Sequence, residues 1–441
     1  MRIFNFLGLM TLITLRPSVA AVKNYQSHQL EVARSQGYIS LTTLLVKSSH
    51  RIEIIGAEVE SFFKASDGEW FYVTFPWTLD GASATAFLAD LQERPEVMEA
   101  YFAPIPKNAT IDLGLEVAPL DLFAPTEDYE SKQNYLKNSP EGVDATYAWE
   151  LPGGTGKNVK VVDIEVCFEA EHEDFKAPFY VGANPACGDT NHGTAVWGEI
   201  AAKRDGKGVT GIAHESEFGL YGFIEGEWED VNEQYIKSIN EAIQGAIKNL
   251  DRGDVLVMEQ QMVGPELKKY TAVEYWPHIF DQLKAATDKG IHCVAAAGNG
   301  DSNFDDASYE GAFDLSKRDS GCVMVGAVDA TKNRLYFSNY GARVDAAGYG
   351  SKVLTTGYGD LFNGGSTRMY TARFSGTSSA TPIVAGAVAV VSSIAKENKK
   401  ELTPIQLRKL LRETGVVQSV STANKRVGNF PSIKALVEKI Y

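Results

Sequence analysis

The chain has 441 residues, a hydrophobic content of 44% and a formal net charge of −15. This length exceeds one average domain, and the apolar content is sufficient for a large core. The acidic balance argues against a nucleic-acid partner, because phosphates attract a basic surface.

The N-terminus has the pattern of a signal peptide over residues 1–20. Arg2 precedes an apolar stretch from Ile3 to Leu15, and the small residues Ser18 and Ala20 follow where a signal peptidase cuts. The stretch is shorter than the ~20 apolar residues that span a membrane. We therefore predict a secreted, extracellular protein with no membrane contact once the signal is removed.

Export makes the cysteines informative, because an oxidising compartment permits disulfides. The chain has four cysteines. Pairing in sequence order would join Cys167 with Cys187 and Cys293 with Cys322, which is one of three connectivities. No Cys or His spacing typical of a zinc site is present, so no metal ligands are predicted.

Residues 21–130 are predicted to form a small α+β unit followed by a linker. The strand candidates are "EWFYVTF" (Glu69–Phe75) and "VMEAYFAP" (Val97–Pro104), and "ATAFLADLQERP" (Ala84–Pro95) has helical spacing and ends at a proline. The stretch from Pro104 to Pro140 is richer in proline and charge, which is typical of a linker.

Residues 140–441 are predicted to form a doubly wound, mostly parallel α/β domain. Continuous apolar strands without polar alternation are buried on both faces, as in a parallel sheet flanked by helices. The candidates are "VKVVDIEV" (Val159–Val166), "DVLVME" (Asp254–Glu259), "HCVAAAG" (His292–Gly298) and "CVMVGAV" (Cys322–Val328). Ligands of such a fold bind beyond the carboxyl ends of the strands.

Four polar residues lie where this fold could bring them together. Asp163 is inside the first buried strand, His192 opens the helix "HGTAVWGEIAA", and Ser378 lies within "SGTSSATP" at the start of an apolar helix. An imidazole can activate a serine hydroxyl while a buried carboxylate orients the imidazole. The N–H groups at a helix start and the amide of Asn299, after "AAAGN", could stabilise an oxyanion.

The segments "VVDIE", "NHGT", "AAAGN" and "SGTSSATP", in this order, resemble the subtilisin family of serine proteases. The resemblance covers roughly residues 143–441 and implies an endopeptidase that works through an acyl-enzyme. It assigns Asp163 as the orienting acid, His192 as general base and acid, Ser378 as nucleophile and Asn299 as oxyanion donor. Ser375 and Ser379 are then loop and helix-turn residues, and activity should rise through about pH 6 to 8 as His192 becomes neutral.

The segment "LADLQERPEVMEAYFAP" resembles the prosegments that cap active sites in this family. The resemblance implies a zymogen whose own propeptide lies in the cleft as an intramolecular inhibitor and is cut autocatalytically between about Asn108 and Ser139. The sequence does not identify the bond. Protein or peptide substrates and a monomeric state are also expected.

Two departures from the family pattern bear on specificity. Glu165 stands where the family commonly has a glycine, and "MEQQ" stands where the family has a serine-leucine-glycine run. The predicted substrate-binding residues are Met258, Glu259, Gln260, Ala297 and Gly298. Glu259 would either make the specificity pocket acidic and favour basic side chains, or it would point away or pair internally.

Three alternatives stay open at this stage. No cofactor is required, but "GNGDSNFDD" (Gly298–Asp306) offers oxygen donors to a structural calcium ion, with a solvated acidic loop as the default. A catalytically silent, protease-like binding protein would share these motifs. So would a dedicated processing protease with narrow specificity.

Overall fold

The N-terminal part of the chain forms a four-stranded antiparallel sheet with two helices in its described residues. The computed structural model describes residues 27–36, 39–109, 111, 114, 116–182, 189–223, 233–267, 269–422 and 424–441, so the predicted signal peptide lies outside it. The elements are α1 (Ser27–Ser35), β1 (Ile39–Ser48), β2 (Glu58–Ala65), β3 (Gly68–Thr74), α2 (Gly81–Glu93) and β4 (Val97–Pro104), and the strand order is β2-β3-β1-β4.

The elements of this N-terminal unit follow the local sequence signals closely. β3 and β4 coincide with the predicted strands to within a residue at each end. The helix α2 begins earlier than predicted, at Gly81, because the Asp80 side chain accepts the N–H of Ser83 and caps the helix.

The rest of the chain alternates strands and helices. In chain order the elements are β5 (Lys107–Asn108), α3 (Ala145–Ala148), β6 (Lys160–Glu165), β7 (Tyr180–Gly182), α4 (Asn191–Ala201), β8 (Glu217–Gly222), α5 (Glu233–Asn249), β9 (Val255–Met258), β10 (Gln260–Val263), β11 (Tyr270–Ala272), α6 (Pro277–Lys289), β12 (His292–Ala296), β13 (Val323–Val328), β14 (Ala346–Tyr349), β15 (Val353–Thr356), β16 (Phe362–Asn363), β17 (Met369–Phe374), α7 (Thr377–Glu397), α8 (Pro404–Glu413) and α9 (Ile433–Ile440).

A seven-stranded parallel sheet confirms the predicted α/β fold. Its order is β14-β13-β12-β9-β6-β8-β7. β6 and β9 are neighbours in the sheet, but the strands that follow β6 in the chain, β7 and β8, lie on one side of this pair, and those that follow β9, β12 to β14, lie on the other. A cleft opens beyond the carboxyl ends of strands at such a reversal. Glu165 ends β6 and Glu259 follows β9, so both lie at this edge.

The helix α7 crosses the interior and carries Ser378 at its start. It packs against β9, β12, β13, β14 and α4. Among the residues described, α7 is the one helix whose length and composition would allow it to cross a membrane, and its apolar stretch is buried wholly inside the protein. A helix that is apolar on all sides is what the core of a large domain requires.

The N-terminal unit packs its sheet against α5 and α6. Tyr101 Oη lies 2.9 Å from His278 Nδ1. Lys47 Nζ forms an ion pair with Asp281 at 2.8 Å. Farther along the same interface, other side chains from the sheet contact α5. These contacts bring the end of β4 close to the carboxyl edge of the parallel sheet.

One predicted disulfide is wrong and the other lies partly outside the described chain. Cys293 and Cys322 are both buried free thiols. They lie in the core beside neighbouring strands, where a cysteine behaves as a small apolar side chain. Cys187 is outside the described residues, so its pairing with Cys167 stays a prediction.

Candidate active site

His192, in the first turn of α4, pairs with the carboxylate that ends β6. His192 Nδ1 lies 2.5 Å from Glu165 Oε2, and both side chains are buried. The other carboxylate oxygen, Oε1, accepts the N–H of Val166 at 2.7 Å. Gly193 allows this approach, since a Cβ there would lie 2.4 Å from Glu165 Cγ.

The predicted pairing of Asp163 with His192 is wrong. Asp163 lies two residues before Glu165 on the same face of β6, and therefore about 7 Å deeper in the sheet. Within the described residues its carboxyl oxygens accept no hydrogen bond. Burial, and then the neighbouring Glu165, raise the pKa of Asp163 well above its ordinary value. The residue at the strand end, predicted as a mere departure from a glycine, is the one that contacts the imidazole.

Ser378 faces the same cleft from the start of α7. Its Oγ donates to the main-chain oxygen of Glu259 at 3.4 Å. The ring of Phe374, just upstream, lies edge-on to the His192 imidazole with 5.5 Å between centroids. Gly376 has φ of 106°, a conformation that favours glycine, where the chain turns into the helix.

Asn299 is held with its amide nitrogen toward Ser378. The main-chain N–H and the hydroxyl of Thr377 both donate to Asn299 Oδ1 at 3.0 Å. This fixes which way the amide points, because its oxygen is occupied. Asn299 Nδ2 and the N–H of Ser378 then donate to one oxygen, the carbonyl of Ala109, at 2.6 and 3.2 Å.

The chain's own residues occupy the cleft as an extended strand. β5 pairs antiparallel with β10, with Asn108 opposite Gln260 and Lys107 opposite Gln261. The N–H of Ala109 donates to the oxygen of Glu259 at 2.8 Å. The main-chain nitrogen of Ala109 is therefore fixed by Glu259, which follows β9, and its oxygen is fixed by Asn299 and Ser378.

The predicted substrate-binding residues contact this strand unequally. Gln260 pairs with it, while Met258 is enclosed in the core. Ala297 lies on the wall of the cleft that faces β10, which is formed by residues 297–299 after β12. The main-chain oxygen of Ala297 accepts a hydrogen bond from Asn339 Nδ2 at 2.6 Å. Gly298 has φ of 92° beside the same asparagine, and a Cβ there would lie 2.9 Å from Asn339 Nδ2.

Glu259 takes the second of its two predicted orientations, since its side chain points inward. It forms a buried acid cluster with Asp163 and Glu199, and within the described residues none of the three carboxyl groups accepts a hydrogen bond. Burial is the largest cause that raises each pKa well above its ordinary value, and for Glu259 the nearby carboxylates add to it. Burial therefore favours the neutral form of these three acids beneath the cleft.

The acidic loop proposed as a calcium site is occupied by the protein's own donors. Asp301 forms ion pairs with Arg334 at 2.9 Å and Lys425 at 3.3 Å. Asp305 accepts the N–H of Ala342 at 3.0 Å. The described residues contain no group of three or more His, Cys, Asp or Glu side chains that could hold a metal ion. This donor set does not fit calcium.

Sequence reasoning missed Glu165 and the dipeptide Asn108–Ala109. Glu165 could have been found from its position, because it is the last residue of the buried strand β6, where the chain leaves the sheet. Asn108 and Ala109 carry no local signal, since their role comes from pairing with β10.

Comparison with known proteins supports this assignment of the fold and chemistry. The model of the Subtilase family (Peptidase_S8) matches residues 132–429. An "Intracellular serine protease" of Paenibacillus polymyxa is 28% identical over 292 residues, which are 63% of this chain and 79% of that protein. "Subtilisin Savinase" of Lederbergia lenta is 27% identical over 268 residues, 59% of this chain and 84% of that protein.

Solved structures agree in fold. The crystal structure of fervidolysin from Fervidobacterium pennivorans, "a keratinolytic enzyme related to subtilisin", superimposes with a TM-score of 0.61 at 20% identity, over 91% of this chain. This chain spans 63% of the length of fervidolysin. At that identity the similarity shows the fold alone, and the family match supplies the chemistry. The chain belongs to the subtilase family of serine-type endopeptidases.

Proposed function

We propose that the chain hydrolyses peptide bonds through an acyl-enzyme, with Ser378 as nucleophile, His192 as general base and acid, and Glu165 as the acid that orients the imidazole. The observation that carries the proposal is the Ala109 carbonyl oxygen, which receives hydrogen bonds from Ser378 N–H and Asn299 Nδ2. Donors aimed at one carbonyl oxygen are what stabilises a developing oxyanion.

The steps follow from this arrangement. Ser378 Oγ attacks the carbonyl carbon while His192 accepts its proton, and Glu165 stabilises the imidazolium. The oxyanion is held by Asn299 and the Ser378 N–H until the bond to the leaving nitrogen breaks and His192 returns the proton to that nitrogen. Water then attacks the ester by the same route, and the acid leaves.

We further propose that the chain is made as a zymogen that cuts itself at the Ala109–Thr110 bond. Ala109 is the residue whose carbonyl oxygen accepts hydrogen bonds from the oxyanion donors, so we expect Ser378 to attack the bond that follows it. After the cut, the N-terminal unit would remain as an inhibitor, held by β5 and by contacts such as that of Tyr101 with His278.

Export from the cell is also part of the proposal. Residues 1–20 carry the charge, the apolar stretch and the small residues of a signal peptide. Relatives named as intracellular proteases exist, so location needs its own measurement. In a secreting host, we expect the protein in the medium without residues 1–20. A cytosolic product with residues 1–20 intact would contradict export.

The central experiment compares wild type with Ser378→Ala and the matched control Ser379→Ala. Ser379 Oγ donates to Tyr349 and Gly376 oxygens and takes no part in the proposed chemistry. We expect wild type and Ser379→Ala to yield a new N-terminus at Thr110 and to label with a fluorophosphonate. Ser378→Ala should stay unprocessed, with turnover of an added substrate lowered about 10⁶-fold. Processing or labelling of Ser378→Ala would refute the proposal.

A further inference from the structure

We propose that the cleft selects asparagine followed by alanine before the scissile bond, that is, a carboxamide at P2 and a side chain no larger than methyl at P1. The inference rests on the proposed function, because it takes Ala109 as P1 and Asn108 as P2. It goes beyond that function by assigning substrate preference to named groups.

Gln261 closes the P1 position. It stands on β10 as the last residue of the "MEQQ" run (Met258–Gln261), which lies where the family has a serine-leucine-glycine run. Its Oε1 accepts the main-chain N–H of Asn299 at 2.8 Å, and its Nε2 donates to the oxygen of Asn108 at 3.3 Å. The side chain thus joins β10 to the facing wall, across the space beside Ala109.

A larger P1 side chain would have to break this bridge. Ala109 is 0% exposed, so its methyl group is already enclosed. If Gln261 were displaced, the main-chain N–H of Asn299 would lose its hydrogen bond to Gln261 Oε1. Asn299 is the residue whose side chain is proposed to hold the oxyanion. An unsatisfied buried donor is unfavourable, so a peptide with a larger P1 side chain should be cleaved more slowly.

A second amide bridge holds the same wall in place. Asn339 Nδ2 donates to the oxygens of Ala297, at 2.6 Å, and Tyr270, at 3.1 Å. Asn339 is fully buried. The wall facing β10 is therefore tied to β11, and it cannot retreat to admit a long side chain without losing these bonds.

The Asn108 carboxamide is recognised at both of its ends. Its Nδ2 donates to Glu165 Oε1 at 2.6 Å, and its Oδ1 accepts from Gln260 Nε2 at 3.3 Å. Only an amide offers a donor and an acceptor side by side in this way. Aspartate would set a second carboxylate against Glu165, and leucine would leave both groups without these bonds.

The P2 contact reaches the catalytic acid itself. Glu165 uses Oε2 for His192 and Oε1 for Asn108, so a correct P2 residue helps to hold the carboxylate that orients the imidazole. The length of glutamate allows this, because its carboxylate extends past the strand end toward β5. Discrimination should therefore appear in kcat as well as in KM.

The experiment uses the processed wild-type enzyme and fluorogenic peptides that copy residues 105–112. We expect leucine in place of Asn108 to lower kcat/KM about 10- to 100-fold. Aspartate at the same position should lower kcat/KM at least about 100-fold. Phenylalanine in place of Ala109 should cost at least about 100-fold. Rates are divided by the concentration of fluorophosphonate-labelled sites.

Two neighbouring variants then separate the subsites. In Gln261→Gly the ratio of phenylalanine to alanine cleavage at P1 should rise at least about tenfold, with the P2 preference kept. In Gln260→Ala the P2 preference for asparagine over leucine should fall at least about threefold, with the P1 preference kept. A fold defect alone would not move one ratio and spare the other.

The outcomes distinguish the two proposals. Labelled wild-type enzyme that cleaves all the peptides equally would overturn the selectivity and leave the proposed function standing. Absence of both labelling and cleavage would overturn the proposed function. Retention of strict P1 selectivity in Gln261→Gly would refute the role of that side chain.

Discussion

Glu165 and Asp163 are two carboxyl groups on one face of one strand, yet their environments are opposite. Glu165 receives hydrogen bonds from Val166, Asn108 and the imidazole of His192. Among the described residues, no group donates to Asp163. An ionised carboxylate is stable in a buried site only when donors surround it, so the surroundings of Asp163 favour its neutral form.

The difference shows how a parallel sheet sorts polar residues by depth. Main-chain N–H groups and side chains from loops are available at the carboxyl edge, where the strand stops pairing. One layer deeper, every main-chain group is used in the ladder, and an acid can persist there only in its neutral form. The other two buried acids, Glu259 after β9 and Glu199 on α4, likewise have no hydrogen-bond donor among the described residues.

The largest effect should come from exchanging each acid for its amide. Glu165→Gln should lower kcat about 10⁴-fold, because the imidazolium loses its counter-charge and the imidazole its orientation. Asp163→Asn replaces a neutral acid by a neutral isostere and should change kcat less than about tenfold. Active-site-titrated enzyme and one peptide substrate suffice for the measurement. Equal losses in the two variants would remove the distinction between the two acids.

A smaller effect concerns stability at high pH. The pKa of Glu199 is raised well above its ordinary value of 4.5 by burial. The folded chain therefore keeps a proton there that the unfolded chain releases once pH exceeds about 4.5, so stability falls as pH rises through this window. Glu199→Gln removes this loss. In a Ser378→Ala background, we expect the variant's stability relative to its parent to improve steadily as the pH rises from 4 to 8.

Exposed Glu241 on α5 provides the matched control, since Glu241→Gln should show no such trend. Buried histidines act in the opposite direction, because burial lowers the pKa of His172 to about 4 and of His292 to about 3. Their stabilisation is present above pH 6.5 and is lost toward those values. They are common to parent and variant, so the difference isolates Glu199. Thermal midpoints that differ by a constant amount at every pH would contradict the prediction.

Sequence patterns were sufficient to predict the sheet, and they singled out three residues, His192, Asn299 and Ser378, whose roles stay proposals. Apolar runs such as Val255–Met258 can be buried only between helices, and the motifs around His192, Asn299 and Ser378 have strong local constraints. The acid was misassigned because residue type was matched before position. An aspartate fitted the family pattern, but the strand end, where donors are available, belongs to Glu165.

The occupied cleft could not have been predicted from local sequence. Asn108 and Ala109 acquire their roles from partners such as Glu165, Gln260 and Ser378, which are distant in the chain. Gln261 illustrates the same point, since the "MEQQ" run indicates a changed specificity pocket but does not reveal which groups the Gln261 side chain bonds. Only the tertiary arrangement shows that it spans the cleft.

The smallest effect concerns the contact that seats the N-terminal unit. Tyr101 Oη accepts the main-chain N–H of His278 at 3.1 Å and forms a hydrogen bond with His278 Nδ1 at 2.9 Å. Burial lowers the pKa of His278 to about 3, and the imidazole stays neutral across the working range. Tyr101→Phe should therefore destabilise the full-length Ser378→Ala chain by about 1 kcal/mol.

This loss should be the same at pH 7.5 and pH 5, because neither value approaches the titration of His278 in the folded chain. Exposed Tyr336 is the control, and Tyr336→Phe should leave the thermal midpoint unchanged. A loss that disappears by pH 5 would mean that His278 titrates near its ordinary value, and hence that the N-terminal unit does not enclose it. The N-terminal unit would then be held on the rest of the chain by the pairing of β5 with β10 alone.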